Sequence, residues 1–370
     1  MRNLFKEYGY PQQEIDRRTQ EIWDTLFEGP EDEKIYYETE EGFGYVMDTG
    51  NMDVRTEGQS YAMMLALLYN KKEVFDKVWQ WTKKYMYMDY GKHAGYFAWS
   101  VGPDGEKNSH GPAPDGEEFF AAALLFASRR WGDGEGVLEY SKEARQILHD
   151  VIYNEHPMWN HDNKLIKFVP ELEFSDPSYH VPFFYDYFAK WSNEEDRGFW
   201  LDAAAASREY LKKAMHPKTG LNGEYADYDG TPKEFREHHH LFYSDSYRTA
   251  LNVGLDNSWH GPDEVLTQRI DALQEFFNVA HAEDWDAVYT WDGHKVSGAD
   301  YNMDDKVLHP VGLIATNAAA SLAATDGPNA RALVQKFWET PLRKGDRRYF
   351  DNFLYAFSFL ALSGNYKPFE

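Results

Sequence analysis

The 370-residue sequence has no cysteine, which excludes a disulfide framework and any thiolate nucleophile or metal ligand. It has no apolar run approaching the length of a membrane span. The first residues, Met1-Arg-Asn-Leu-Phe-Lys-Glu-Tyr8, lack the apolar core of a secretory signal, so the expectation is a soluble, cytoplasmic protein. Basic charge is scarce: 38 Lys and Arg stand against 62 Asp and Glu, for a net charge of −24. Such a field repels polyanions, so nucleic acid and anionic membrane are excluded as partners, whereas a neutral ligand is not penalised. No glycine-rich phosphate loop is present, and pairs such as Asp104-Gly105 and Asp229-Gly230 read as turns. Linkers and low-complexity segments are missing, as is the repeat of about 34–47 residues that an α-solenoid would show.

Aromatic residues, by contrast, are abundant. They make up 17 % of the chain, with 12 Trp, 26 Tyr and 24 Phe, more than a core of this size needs. Flat apolar faces with a polar edge suit sugar rings and also exposed bases, and the acidic charge disfavours the second. Length alone leaves one large domain or two smaller ones open.

Apolar residues at three and four spacing predict helices near 11–27, 57–70, 72–87, 116–131, 140–153, 180–191, 197–215, 243–256, 263–281, 311–325, 328–340 and 348–363. Strand-like pieces are short and lie between helices, at 43–47, 95–99 and 287–291. Small residues gather at Ala121 to Ala123, Ala203 to Ala206 and Ala318 to Ala320, as in helices packed in an inner layer. Twelve helices in hairpin pairs predict two concentric rings of six. The expected architecture is therefore all-α, a single (α/α)6 barrel domain over residues 1–370, with a cleft at the N-termini of the inner helices.

Three of these helices begin with a carboxylate. Glu57 follows Thr56 at the start of an Ala-, Met- and Leu-rich run, Asp115 follows Pro114, and Asp245 precedes Arg248 by three residues. Each is open to a local explanation, since a first-turn acid caps a helix or complements its dipole. If the three helices belong to one inner ring, however, the acids converge. Two carboxyls on opposite sides of a sugar are the usual equipment of glycoside hydrolysis, and a wide spacing that admits water gives inversion. Arg248 beside Asp245 favours its ionised form, as suits a general base. Tyr61, Trp99 and Tyr247 lie near these stretches and are candidates for stacking on sugars.

A metal site is a poorer use of the acids. In Glu171-Leu-Glu173-Phe the acids alternate toward solvent, and with Asp176 they have no histidine to complete a ligand set. The run His238-His239-His240, near Glu234 and Glu237, consists of consecutive side chains, which diverge. No metal and no cofactor are expected.

Six stretches together resemble glycoside hydrolase family 8, and within it the members that release xylose from the reducing end of short xylo-oligosaccharides. They are Asp48-Thr-Gly-Asn-Met-Asp-Val-Arg-Thr-Glu57-Gly-Gln-Ser-Tyr-Ala-Met-Met64, Gly95-Tyr-Phe-Ala-Trp-Ser100, Gly111-Pro-Ala-Pro-Asp115-Gly-Glu-Glu-Phe-Phe120, Asp176-Pro-Ser-Tyr179, Phe242-Tyr-Ser-Asp245-Ser-Tyr-Arg248 and Leu308-His-Pro-Val-Gly-Leu-Ile-Ala-Thr-Asn317. The resemblance implies an inverting hydrolase on the (α/α)6 barrel with a xylo-oligosaccharide substrate. It implies Glu57 as general acid, Asp245 as general base, Tyr179 as holder of the attacking water and Arg248 as the residue that orients Asp245. By the same likeness Asp115 contacts and distorts the sugar, and His309 meets the reducing-end hydroxyl and closes the cleft. The acidic, glycine-containing segment 283–306 is expected to build the blocking wall. Rivals are an endo-acting xylanase, glucanase or chitosanase of the same family, a sugar isomerase on the same barrel, and a non-catalytic glycan-binding module.

Overall fold

A helix apolar along one stripe covers a surface, and one apolar all round lies inside; this chain alternates the two kinds. The computed structural model describes residues 1–370. After a single turn at Leu4–Glu7, twelve helices follow: α1 Gln12–Trp23, α2 Thr56–Leu68, α3 Lys72–Tyr85, α4 Pro114–Trp131, α5 Tyr140–Tyr153, α6 Pro182–Trp191, α7 Arg197–Ala214, α8 Tyr247–Trp259, α9 Glu264–Glu275, α10 Pro310–Ala319, α11 Pro328–Glu339 and α12 Arg348–Leu362. The even-numbered helices are buried over most of their length, and α12 over all of it. They pack in sequence, α2 on α4, α4 on α6, α6 on α8, α8 on α10 and α10 on α12, and α12 returns to α2, which closes the ring. The odd-numbered helices form the outer layer, α9 for instance lying between α7 and α11. The architecture is an (α/α)6 barrel, as expected.

Small residues decide how closely the inner helices approach. A Cβ added at Gly116 would lie 2.5 Å from the Thr56 side chain, and one at Gly58 would lie 2.6 Å from the Tyr349 ring. The glycine that follows each of Glu57 and Asp115 thus lets the starts of α2, α4 and α12 meet. Of the alanine groups, Ala121 to Ala123 and Ala318 to Ala320 are in the inner ring, whereas Ala203 and Ala204 turn inward from the outer helix α7.

Departures from the expected boundaries have local causes. The helix expected from 243 starts at Tyr247, because Ser244 adopts a left-handed φ of 32° and places Asp245 in a separate 3-10 turn, Ser244–Ser246. The helix expected from 180 starts at Pro182, since the residue before proline is driven out of the α region. Strand pairing is slight: Tyr36–Glu38 runs antiparallel to Gly44–Val46, and Val54–Arg55 to Ser100–Val101. No helix is long and apolar enough to cross a membrane.

Candidate active site

All six inner helices begin around one cavity of about 730 Å³. Thr56 and Glu57 reach it from α2 and Asp115 from α4. Tyr179 reaches it from the turn before α6, Ser244 and Asp245 from the turn before α8, Leu308 and His309 from the turn before α10, and Tyr349 and Phe350 from α12. The expected cleft is therefore where the ring geometry places it.

Its polar centre is Arg248, the second residue of α8 and 4 % exposed. The guanidinium Nη1 donates to Glu57 Oε2 at 3.0 Å, Asp115 Oδ2 at 2.9 Å and the Tyr61 hydroxyl at 3.1 Å. Nη2 lies 3.5 Å from Asp245 Oδ2 and 4.0 Å from Asp176 Oδ2. The Tyr179 ring sits below the same group, 5.5 Å from its central carbon. Arg248 does touch Asp245, as expected for an orienting residue, but its shorter contacts go to Glu57 and Asp115.

Glu57 has its second oxygen occupied by the Tyr349 hydroxyl, which donates to Oε1 at 3.0 Å. It keeps 16 % of its side-chain surface open to the cavity. Two influences on its proton oppose each other. The helix N-terminus and Arg248 favour the carboxylate, whereas burial, followed by the charges of Asp245 and Asp115, favours the acid. Burial prevails, and the pKa of Glu57 is pushed up to about 8. Burial also raises Asp115, against the pull of Arg248 and a hydrogen bond from the Gly116 amide at 3.0 Å.

His309 precedes Pro310 at the start of α10, 8 % exposed, with its ring 4.8 Å from that of Phe350 and Nδ1 3.4 Å from Asp351 Oδ2. Trp99 lies at the rim, 37 % exposed, with the Arg55 guanidinium 5.2 Å from its ring centre. The other two stacking candidates are corrected. Tyr61, 3 % exposed, lies beneath the cavity and presents its hydroxyl to Arg248 while its ring packs on Phe119, Phe353 and Phe357. Tyr247 is fully buried against Phe242, on the side of α8 turned away from the cavity. The segment 283–306 also departs from expectation, for none of its residues lines the cavity. The wall beside His309 is built by Leu308, Arg347, Tyr349 and Phe350 instead.

Three residues of the site are given no role by the sequence, although one of them, Asp176, opens a motif stretch. Tyr349 is one. Asp176, grouped above with solvent-facing acids, is wholly buried, with Oδ1 accepting from the Ser178 amide at 2.7 Å and Oδ2 turned toward Arg248. Glu171 and Glu173 lie apart from it, bonded to His93 and to Lys167. Glu224 is the third: 4 % exposed, it accepts the Asp245 amide at 3.1 Å and so braces the strained turn that carries that acid. Burial raises the Glu224 carboxyl well above the usual range. The histidine run also behaves otherwise than expected. The rings of His238 and His239 do not diverge but stack at 4.5 Å, and both line the cavity with Glu224 rather than meeting Glu234 or Glu237. Burial lowers His239 to about 4, so its imidazole is neutral.

The geometry sets a protonated carboxyl and a second carboxylate around one guanidinium in a cavity open to solvent. Such a pair can deliver a proton to one atom of a bound molecule and withdraw one from water at another.

Comparisons with known proteins agree with this chemistry. The pattern of "Glycosyl hydrolases family 8" matches residues 27–362. A reducing end xylose-releasing exo-oligoxylanase from Halalkalibacterium halodurans is 57 % identical over 99 % of this chain and 94 % of its own length. Another from Bifidobacterium adolescentis is 56 % identical over 99 % of this chain and 96 % of its own. A crystal structure of a reducing-end-xylose releasing exo-oligoxylanase complexed with xylose superposes with a TM-score of 0.95, at 57 % identity, covering 100 % of this chain and 97 % of that one.

Proposed function

The chain belongs to glycosyl hydrolase family 8, and on that premise we propose that it hydrolyses short xylo-oligosaccharides by releasing xylose from the reducing end, with inversion, using the whole barrel as one catalytic unit. Glu57 is the general acid and Asp245 the general base. Asp245 takes a proton from a water molecule, whose oxygen attacks the anomeric carbon. The bond from that carbon to the glycosidic oxygen breaks on the opposite face, and Glu57 gives its proton to the departing oxygen. The observation that carries the assignment of the acid is the siting of Glu57 in the cavity wall, held by Arg248 and by Tyr349 at 3.0 Å each, where burial raises its pKa to about 8 and so favours the protonated form.

The remaining residues serve these two. Tyr179, beside Arg248 in the cavity wall, holds the attacking water near Asp245. Asp115, anchored by Arg248 and the Gly116 amide, meets the sugar at the point of cleavage. His309 binds the reducing-end hydroxyl and, with Phe350 behind it, closes that end of the cleft, while Trp99 offers an aromatic face at the rim. No metal or cofactor takes part in this reading. The test is Glu57→Gln and Asp245→Asn, each nearly isosteric. Turnover of xylotriose should fall by at least about a thousandfold in both, with the thermal transition retained, which corresponds to about 4 kcal/mol of transition-state stabilisation. Activity within tenfold of wild type in either variant would remove that residue from its role.

The likeness, at 56–57 % identity, to exo-oligoxylanases favours this reading over an endo-acting one. A sugar isomerase on the same barrel would leave chain length unchanged, and a binding module would leave the oligosaccharide intact, so the products of xylotriose separate all three.

A further inference from the structure

The cavity wall carries one cluster that the hydrolytic reaction does not use as chemistry. Glu224, His238 and His239 each present a metal-ligand atom, and these atoms lie within 4.8 Å of one another. His239 Nε2 stands 3.9 Å from Glu224 Oε2, too far for a hydrogen bond. Two metal-ligand bonds of about 2.0–2.2 Å span that gap. Oε2 of Glu224 has no hydrogen-bond partner although the residue is 4 % exposed, while Oε1 is held by the Asp245 amide. The carboxylate is thus fixed at one oxygen and free at the other.

The His239 imidazole is held in place, and the His238 ring turns off its stack for both in-plane lone pairs to face one ion. His239 is sandwiched between the Tyr225 ring, at 4.5 Å and 11°, and the His238 ring, at 4.5 Å and 16°. Two imidazoles and one carboxylate form a donor set that suits borderline-soft divalent cations, with a fourth position open to cavity water; hard cations such as Mg²⁺ prefer all-oxygen sites.

We propose that Glu224, His238 and His239 form an inhibitory site for a divalent transition metal of the Zn²⁺ class in the wall of the substrate cleft. The bound ion and its water occupy space that the oligosaccharide needs. Binding itself is independent of any assignment of catalytic roles. The inhibition rests on the cavity being the hydrolytic site, so the two are measured separately.

The experiment is calorimetric titration of untagged, chelator-treated protein with ZnCl₂. One Zn²⁺ should bind per chain with micromolar affinity, MgCl₂ should give no binding, and His238→Asn and His239→Asn should each weaken Zn²⁺ at least tenfold. Circular dichroism melts of both variants establish that they are folded. A second titration of the wild type, in saturating xylobiose, should also weaken Zn²⁺ severalfold and does not depend on any variant. No binding, or an affinity that neither substitution nor xylobiose changes, would overturn the site. In parallel, Zn²⁺ should depress kcat/KM on xylotriose and EDTA should restore it; tight, substitution-sensitive binding with undiminished turnover would overturn the inhibitory role.

Discussion

Arg248→Met removes the cation shared by four carboxylates while keeping an unbranched chain in a fully packed position. Glu57, Asp115, Asp245 and Asp176 lie 3.0, 2.9, 3.5 and 4.0 Å from its two terminal nitrogens. Breaking a buried ion pair by deleting one partner costs about 3–5 kcal/mol, because the remaining charge is left uncompensated. With an unfolding entropy of about 2.1 cal/mol/K per residue over 370 residues, that cost is a fall in Tm of about 4–6 °C. Its pH dependence identifies the origin. Without the guanidinium, the folded-state pKa values of Glu57, Asp115 and Asp176, already raised by burial, rise further. The deficit relative to wild type is therefore small where these acids are protonated in both folded proteins and grows as pH rises through their wild-type folded values, about 8 for Glu57. Thermal unfolding of wild type and variant at pH 5 and pH 9 should show the larger loss at pH 9 and a clearly smaller one at pH 5. An equal loss at both would mean that Arg248 contributes by packing alone.

Other consequences follow from the same centre. Since Glu57 must hold its proton and titrates at about 8, kcat/KM on xylotriose should fall tenfold per unit as pH rises beyond that value. Asp115→Asn removes a negative neighbour and releases Arg248 toward Glu57, so the residual activity of that variant should show its alkaline limb at lower pH; an unmoved limb would contradict the electrostatic account. Tyr349→Phe removes a donor that favours the ionised form and should move the limb the other way, with kcat falling more than KM changes. Trp99→Ala removes the exposed ring at the rim and should raise KM for xylotriose roughly fivefold, about 1 kcal/mol, with kcat within twofold; an unchanged KM would show that the ring carries no sugar.

The count of twelve periodic helices in hairpin pairs made the double ring legible, because each helix announces itself by the spacing of its apolar residues. Glu57 and Asp115 were legible as residues at helix starts, and His309 only through the family resemblance of the Leu308-His-Pro stretch; the closure of the inner ring brings those starts together. Tyr61 and Tyr247 misled because proximity in sequence to an acid does not give direction. Tyr61, one turn deeper into α2, lies beneath the cavity, and Tyr247, two residues from Asp245, points the other way. Tyr349 was hidden in a helix where most other residues are also aromatic or apolar, so that nothing local distinguishes it. Glu224 lies in an irregular segment without periodicity, and its importance arises only from chain distant in sequence, the Asp245 amide. Asp176 opens the Asp176-Pro-Ser-Tyr179 stretch, but its part in the site depends on Arg248, far along the chain. The histidine run was misjudged because divergence of consecutive side chains holds for regular strands. Here Tyr225 and the turn geometry stack the rings.

The most direct test of the account uses xylotetraose labelled in its reducing-end sugar. Reducing-end cleavage predicts that the label appears first in free xylose, with unlabelled xylotriose as the companion product and no labelled xylobiose at early times. Label in xylobiose or xylotriose at early times, or unlabelled xylose as the first monosaccharide, would contradict it.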